Sequence, residues 1–512
     1  MKHCKPQMSI AQNFFSLEIV GAVCNRTGLN GTVRLQTAPT IHSGCFFHTS
    51  KMNLSTSSTL SRRTFLTRMM AGVVLPKVTA LIAACRPAAT TPEDAAPIAI
   101  GDASAPGAVT GDIALMIAAD PLEEAAYRDL LTAFADAGSA VQVDLVNLPS
   151  LAEMYRRLLL DFAAGTPADL FLLTYRRYAA YAVKKMVEPV APYLAASNVI
   201  KADDFYPQTL EAFTWRDQLY GVPQNLSCLV AYYNKTIFDK VGVAYPTGDW
   251  DWDEFLATAH ALTLDEDGDG IDDLWGLGTD AITLRIAPFL WMSGGDLVDN
   301  PENPTSLALD TPEARNALAW FVALQTEHQV VPDPVTEKAE SHEARFINGR
   351  LAIYLESRRV TPSLRQNTAF DWDVAPLPAL RGSDGALIHS TVLHSDAFCM
   401  AAQSQQKAAA WSLIEYVNTP EGQTVLTRSG RVVPSNKRVA ESPAFLLPEA
   451  KPHNNQVFLD ALAHIRRLPL MPTWPEIEAG INRELELAFH GDSILDAAID
   501  AAYIRTREFF AP

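Results

Sequence analysis

An α/β fold built on a parallel sheet is predicted, and three observations predict it. From residue 111 onward, short apolar runs alternate with stretches of helical period, the pattern of strand–helix–strand units. The composition, 48% hydrophobic and 20% charged with 33 Pro and 26 Gly, is that of ordinary globular chains. No run of about 18 uninterrupted apolar residues occurs, so a multi-span membrane protein is excluded. At 512 residues the chain has room for two or three domains.

The elements follow in order. Residues 112–118 (DIALMIA) form an apolar run bounded by turn-formers, hence a buried strand. Residues 122–137 carry Leu130, Leu131 and Phe134 at helical spacing. A second strand is expected at 141–148, and a helix at 151–164 with Leu158, Leu159 and Phe162 on one side. Residues 169–174 (DLFLLT) read as a third strand and 178–185 as a helix. No Gly-x-Gly-x-x-Gly follows the first strand and no Gly-Lys-Ser/Thr occurs, which argues against dinucleotide and P-loop chemistry.

Charge is unevenly placed. Residues 1–84 hold nine Lys/Arg and one acid, Glu18, so the remainder carries 32 basic against 58 acidic residues. A surface that acidic repels phosphate backbones, and no nucleic-acid partner is expected. Six Cys in this length are not a disulfide scaffold. Cys228 and Cys399 have no metal-spaced partner and read as small apolar residues.

The N-terminal region reads as an address. Arg62-Arg63 with Phe65-Leu66 resembles a twin-arginine export signal, with Thr67 where Lys is usual. The apolar run that follows ends Leu81-Ile82-Ala83-Ala84-Cys85, which resembles a lipoprotein lipobox and makes Cys85 the expected lipidation site. Residues 1–51 are read as an extension upstream of a better start at Met52, 52–84 as the signal, and 85–111 as the lipidated Cys with a disordered Ala/Pro/Thr/Gly-rich tether. The expected location is extracytoplasmic, anchored to the cell membrane through lipid.

The body carries a second resemblance. Gly165-Thr-Pro-Ala-Asp169, Met186-Val-Glu-Pro-Val190, Tyr220-Gly-Val-Pro-Gln224 and Tyr232-Tyr-Asn-Lys235 appear in that order. They are followed by WDWDEFLATAHALT at 250–263, Leu290-Trp-Met-Ser-Gly-Gly-Asp296, Phe346-Ile-Asn-Gly349, Phe370-Asp-Trp-Asp-Val-Ala-Pro-Leu-Pro378 and Gly430-Arg-Val-Val-Pro434. Each piece is short, but their order over about 400 residues resembles the bacterial family 1 extracellular solute-binding proteins, the maltose-binding-protein-like sugar receptors of ABC importers. The resemblance implies two α/β lobes joined by a hinge, with a ligand cleft between them: 112–228 plus 381–440 in one lobe, 229–380 plus 441–512 in the other. It implies a monomer that captures a sugar or related polar solute by lobe closure and delivers it to permease subunits with a cytoplasmic ATPase. It implies no enzyme. A secreted lipid-anchored carbohydrate-active hydrolase and a non-transport ligand sensor are the alternatives.

Sugar sites combine aromatic platforms with carboxylates, amides and guanidinium groups. Tyr175 and Arg176 follow the strand DLFLLT, where ligands of open α/β sheets bind. By family position, Gln224, Asn225 and Ser227 lie at the hinge, and Trp291 beside Gly294-Gly295. Glu356, Ser357 and Arg358 follow the apolar strand LAIYL, without the family's usual aromatic. His389, Ser390 and His394 lie on the returning segment, and Trp474 stands where relatives place a stacking aromatic. Trp291 and Trp474 read equally as core residues. Arg176 and Arg358 together would suit an acidic sugar.

No cofactor is required. Asp265, Asp267 and Asp269, with Gly270 and the carbonyl of Ile271, have the spacing of a calcium loop, and Asp273 occupies its ninth position. The twelfth position is Gly276, not the bidentate Glu. The segment is either a weak structural Ca²⁺ loop or a solvated Asp/Gly turn.

Overall fold

The computed structural model describes residues 109–510. Arg62, Arg63, Cys85 and the boundaries expected within 1–108 lie outside the described residues. Strands β1 (Thr110–Ile117), β2 (Ala140–Asn147) and β3 (Leu170–Thr174) alternate with helices α1 (Pro121–Asp136), α2 (Leu151–Ala164) and α3 (Tyr175–Ala182). β1 pairs in parallel with both β2 and β3. Local chemistry sets the helix ends. Asp120 accepts hydrogen bonds from the amides of Leu122 and Glu123 at 2.9 and 3.0 Å, and Pro121 pre-sets the first turn of α1. Ser150 caps α2 and Gly165, at φ +75°, ends it in the left-handed conformation.

One boundary departs from expectation. α3 starts at Tyr175, directly after β3, where 178 was predicted. Thr174 supplies no capping side-chain bond, so no sequence signal marks the start. Tyr175 and Arg176 are therefore on the first helical turn, not in a loop.

The chain continues through β4 (Val222–Pro223) and β5 (Asn225–Cys228) into β6 (Val230–Asn234), followed by β7 (Trp275–Gly278), β8 (Leu351–Glu356) and β9 (Trp372–Ala375). These last four make a second sheet in the order β9-β6-β8-β7. Helices α4 (Trp252–Ala261), α5 (Thr283–Met292) and α6 (Pro312–Thr326) accompany it. β10 (Thr391–His394) returns antiparallel to β5, and β11 (Asp396–Met400) inserts between β3 and β4. The first sheet is thus β2-β1-β3-β11-β4, parallel except for β11. Helices α7 (Lys407–Val417) and α8 (Pro420–Arg428) pack with α1 on this body.

β5 and β10 are the outgoing and returning crossings between the two sheets. The predicted return at 381 is displaced to 391. The hairpin around 380–388 belongs with the second sheet, because Arg381 pairs with Asp251 at 2.7 Å and Ala379 bridges to Asp251. The third crossing begins at β12 (Val433–Pro434), paired with β5, and ends at β13 (Ile465–Arg466), parallel to β10. Between them Asn454 donates its side-chain amide to the carbonyl of Val374 at 3.2 Å. Helices α9 (Trp474–Phe489) and α10 (Leu495–Thr506) then pack against α6, with α9 also touching α3 of the first lobe. The buried face of α9 is Trp474, Ile477, Ile481 and Leu485.

Candidate functional site

Polar groups from both lobes meet where β3 and β8 end. On the first turn of α3, Arg176 pairs with Glu478 of α9, and Glu478 also accepts from Thr283 Oγ1 at 3.0 Å. Burial works against the Arg176 charge, but Glu478 outweighs it and holds the guanidinium above its ordinary value. Tyr175 is fully buried, and its hydroxyl accepts from the Leu468 amide at 3.0 Å. β11 sets Asp396 opposite Thr174. Asn225 fixes that carboxylate: its Nδ2 donates to Asp396 Oδ2 at 3.2 Å, and its Oδ1 accepts from the Asp396 amide at 2.8 Å. Gln224 donates to Tyr127 Oη at 2.6 Å, while its Oε1 is buried without a partner.

Two acids here are held toward the protonated form. Burial raises Asp396. It also pushes Glu123 up to about 7: Arg431, 2.9 Å away, opposes the rise, while the negative charges of Asp396 and Asp120 add to it. The Tyr155 hydroxyl of α2 is pushed up to about 12 by burial, with Arg177 opposing and Asp396, Arg176 and Glu478 within electrostatic reach.

The second lobe contributes Glu356 at the end of β8. This fully buried carboxylate accepts from Arg285 Nη2, Arg359 Nη2 and the Ser357 amide, each at 2.6 Å. Burial pushes Glu356 upward, yet the two guanidinium groups outweigh it and hold the acid at about 2. His394 is driven down to about 3 by burial and by Arg285, so it is neutral, and its Nε2 is buried and unpartnered. Arg285 Nε and Nη1 are likewise unpartnered.

Several expected contacts are placed elsewhere. Arg358 does not face the cleft. It is fully buried, pairs with Asn455, and lies over the Phe445 and Phe458 rings at 4.6 and 5.1 Å. Burial lowers it to about 9. The short turn after Ser357 rotates Arg359, not Arg358, toward Glu356. Ser227 Oγ accepts from the Arg358 amide, and the Ser357 carbonyl accepts from Tyr232 Oη, both at 3.2 Å. Trp291 donates to Asp296 at 3.0 Å, and the Arg466 guanidinium covers its ring at 4.5 Å. Trp474 has no exposed surface. Neither tryptophan offers a free face; the half-buried ring of Tyr155 lies near the charged cluster, with the Arg177 guanidinium 5.0 Å over one of its faces. The acidic-sugar argument loses its basis, since Arg176, Arg285, Arg359 and Arg431 are each paired with a carboxylate.

Sequence reasoning missed Glu123, Tyr155, Arg285, Asp396, Arg431 and Glu478. Asp396 had a signal, two residues beyond His394 on the returning segment. Glu123 reads as an ordinary first-turn acid of α1.

The Asp-rich loop is separate from this cluster. Carboxylate oxygens of Asp265, Asp267 and Asp269 lie within 4.8 Å of one another, as three calcium ligands require. Asp265 also accepts from the amides of Gly268 and Gly270, at 2.7 and 2.8 Å. Asp273 is not part of this converging trio; its carboxylate accepts from the Glu266 amide at 2.9 Å. Gly276 has a packing reason: a Cβ there would stand 1.9 Å from the Ala259 carbonyl oxygen of α4, so no glutamate fits at the twelfth position.

Comparison with known proteins adds independent findings. The family profile "Bacterial extracellular solute-binding protein" matches residues 118–424. An ABC substrate-binding protein of Listeria monocytogenes, in complex with cycloalternan, superposes with a TM-score of 0.70 at 21% identity, covering 78% of this chain and 99% of that one. Maltose-bound MalE3 of T. maritima gives a TM-score of 0.66 at 21% identity, over 78% of this chain and 100% of that one. A Brucella abortus (strain 2308) protein whose name proposes only a binding role is 24% identical over 361 residues, 68% of this chain and 81% of its own length.

Proposed function

The chain belongs to the bacterial extracellular solute-binding proteins, and from that premise we propose that it is the extracytoplasmic receptor of an ABC importer, taking a sugar or related polyhydroxylated solute between its lobes. The structural neighbours include chains bound to cycloalternan, tagatose and maltose. The observation that carries the reading is the convergence of polar groups from both lobes, with His394 Nε2, Gln224 Oε1 and Arg285 Nη1 buried and unpartnered. Unsatisfied buried polar atoms are costly, and a hydroxyl-rich solute supplies both donors and acceptors to satisfy them. We assign recognition to Asp396, Asn225, Arg176 and His394, with the face of Tyr155 opposite Arg177 as the apolar platform. Glu356 is saturated by its own guanidinium partners and sets the second lobe's geometry.

In this reading the receptor is monomeric, anchored through Cys85 after twin-arginine export, and hands its cargo to permease subunits. Family and neighbours are binding proteins, and the role assigned is capture without bond cleavage.

A thermal-shift screen of mono-, di- and oligosaccharides and polyols tests it. Ligand at about one hundred times its Kd stabilises the folded state by about 2.7 kcal/mol, a readable shift. One class should raise Tm, and Asp396→Asn or Tyr155→Ala should remove that rise. A screen in which no such compound shifts Tm overturns the proposal.

A further inference from the structure

A second cavity lies at the hinge and shares no residue with the interlobe cluster. Its volume is about 280 Å³, near the lower bound for small-molecule sites and sized for a single ring. All three crossings wall it: Leu229 just past β5, Ser390 and Thr391 at the start of β10, and Asp460 on the third. Pro376 and Val457 contribute apolar surface. Ser390 is 7% exposed, and its Oγ is buried without a hydrogen-bond partner. The neighbouring Thr391 hydroxyl, by contrast, donates to the Leu229 carbonyl at 2.8 Å.

The charge of the wall selects the ligand. Among its lining residues Asp460 is the only acid, and there is no Lys or Arg. His389 and His464 pack ring against ring at 5.3 Å. Burial and the His464 ring hold His389 below its ordinary pKa, against the opposing charge of Asp249. Among the described residues the only trio of metal-ligating side chains that converges is in the Asp-rich loop, so the two histidines and Asp460 do not form a three-ligand metal site.

We propose that this hinge cavity is a second binding site, for a small organic amine whose ammonium group meets Ser390 Oγ and the Asp460 carboxylate while its apolar body lies against Pro376 and Val457. An ammonium is a pure donor and matches a hydroxyl lone pair and a carboxylate. An anion of the same size meets uncompensated negative charge.

Three isosteric probes test it on the full chain by saturation-transfer NMR: benzylamine, benzyl alcohol and benzoate. Benzylamine should bind at millimolar concentration, benzyl alcohol about tenfold more weakly, and benzoate not at all. Asp460→Asn, at an exposed position, should erase the advantage of the amine. Ser390→Ala should weaken benzylamine while leaving Tm unchanged or raised, because it removes an unsatisfied buried hydroxyl. Asp396→Asn, in the interlobe cluster, should leave benzylamine binding intact. Absence of benzylamine binding, equal binding of the three probes, or wild-type binding in Asp460→Asn overturns the proposal. These readouts do not depend on the sugar screen, so either assignment can fail alone.

Discussion

Trp474 decides between a core and a ligand platform, and a single substitution separates the two. Its side chain has no exposed surface. A tryptophan buries roughly 150–250 Å², which at about 25 cal/mol per Å² corresponds to roughly 4–6 kcal/mol of transfer free energy. Truncations of buried tryptophan cost about 3–5 kcal/mol, in accord with that figure. The indole Nε1 has no hydrogen-bond partner, so no polar loss adds to the sum, and Trp474→Phe should cost distinctly less than Trp474→Ala. Urea denaturation followed by circular dichroism measures the stability, and titration of the folded protein with the best sugar from the screen measures the affinity. Trp474→Ala should lose about 3–5 kcal/mol of stability, with affinity kept within about threefold. Unchanged stability with a ten- to hundredfold loss of affinity, about 1–3 kcal/mol as for stacked bases, would refute the reasoning and make the ring part of the cleft.

Other predictions follow from the same structure. Glu356→Gln strips two guanidinium groups of their shared partner and should cost about 3–5 kcal/mol, read as a fall in the urea midpoint at neutral pH; replacement without loss contradicts the buried network. His342 lies 2.9 Å from Glu337 and 3.5 Å from Asp280, and although burial opposes its charge, the two acids raise it to about 9. Its stabilisation should be complete below its unfolded pKa of about 6.5 and disappear as pH rises through about 9; His342→Gln should flatten that part of the stability profile, and an unchanged profile counts against the ion pair. Ca²⁺ should raise Tm and EDTA lower it, with Asp267→Ala plus Asp269→Ala removing the difference; wild type indifferent to EDTA reduces the loop to a turn. Cys85→Ser should abolish labelling by a palmitate analogue, and Arg62→Lys with Arg63→Lys should block export.

Local signals were legible in the sequence; relations between distant segments were not. Apolar runs located β1, β2 and β3, and the helical spacing of Leu130 and Phe134 and of Leu158 and Phe162 located α1 and α2. The strand LAIYL and its terminal Glu356 were likewise readable, because a continuous apolar run ending in a charge leaves few alternatives. Asp396 was overlooked because its importance comes from register: it faces Thr174, more than two hundred positions earlier. Arg358 and Arg359 are neighbours with opposite fates, and only the turn that begins after Ser357 decides which one reaches Glu356. Trp474 follows the same logic, since a tryptophan at the start of a helix carries no mark of which side it faces.

The position of β11 has a consequence for how the chain folds. β3, a strand of five mostly buried residues, has its partner on one side delivered from the far side of the entire second sheet. Until ribosomal synthesis has passed Met400, β3 remains an open edge, and such edges recruit other strands. Closing so long a loop is slow. A nascent fragment that stops before β10 should therefore aggregate even though β1, β2 and β3 are all present, and the first lobe matures only after the second has been made.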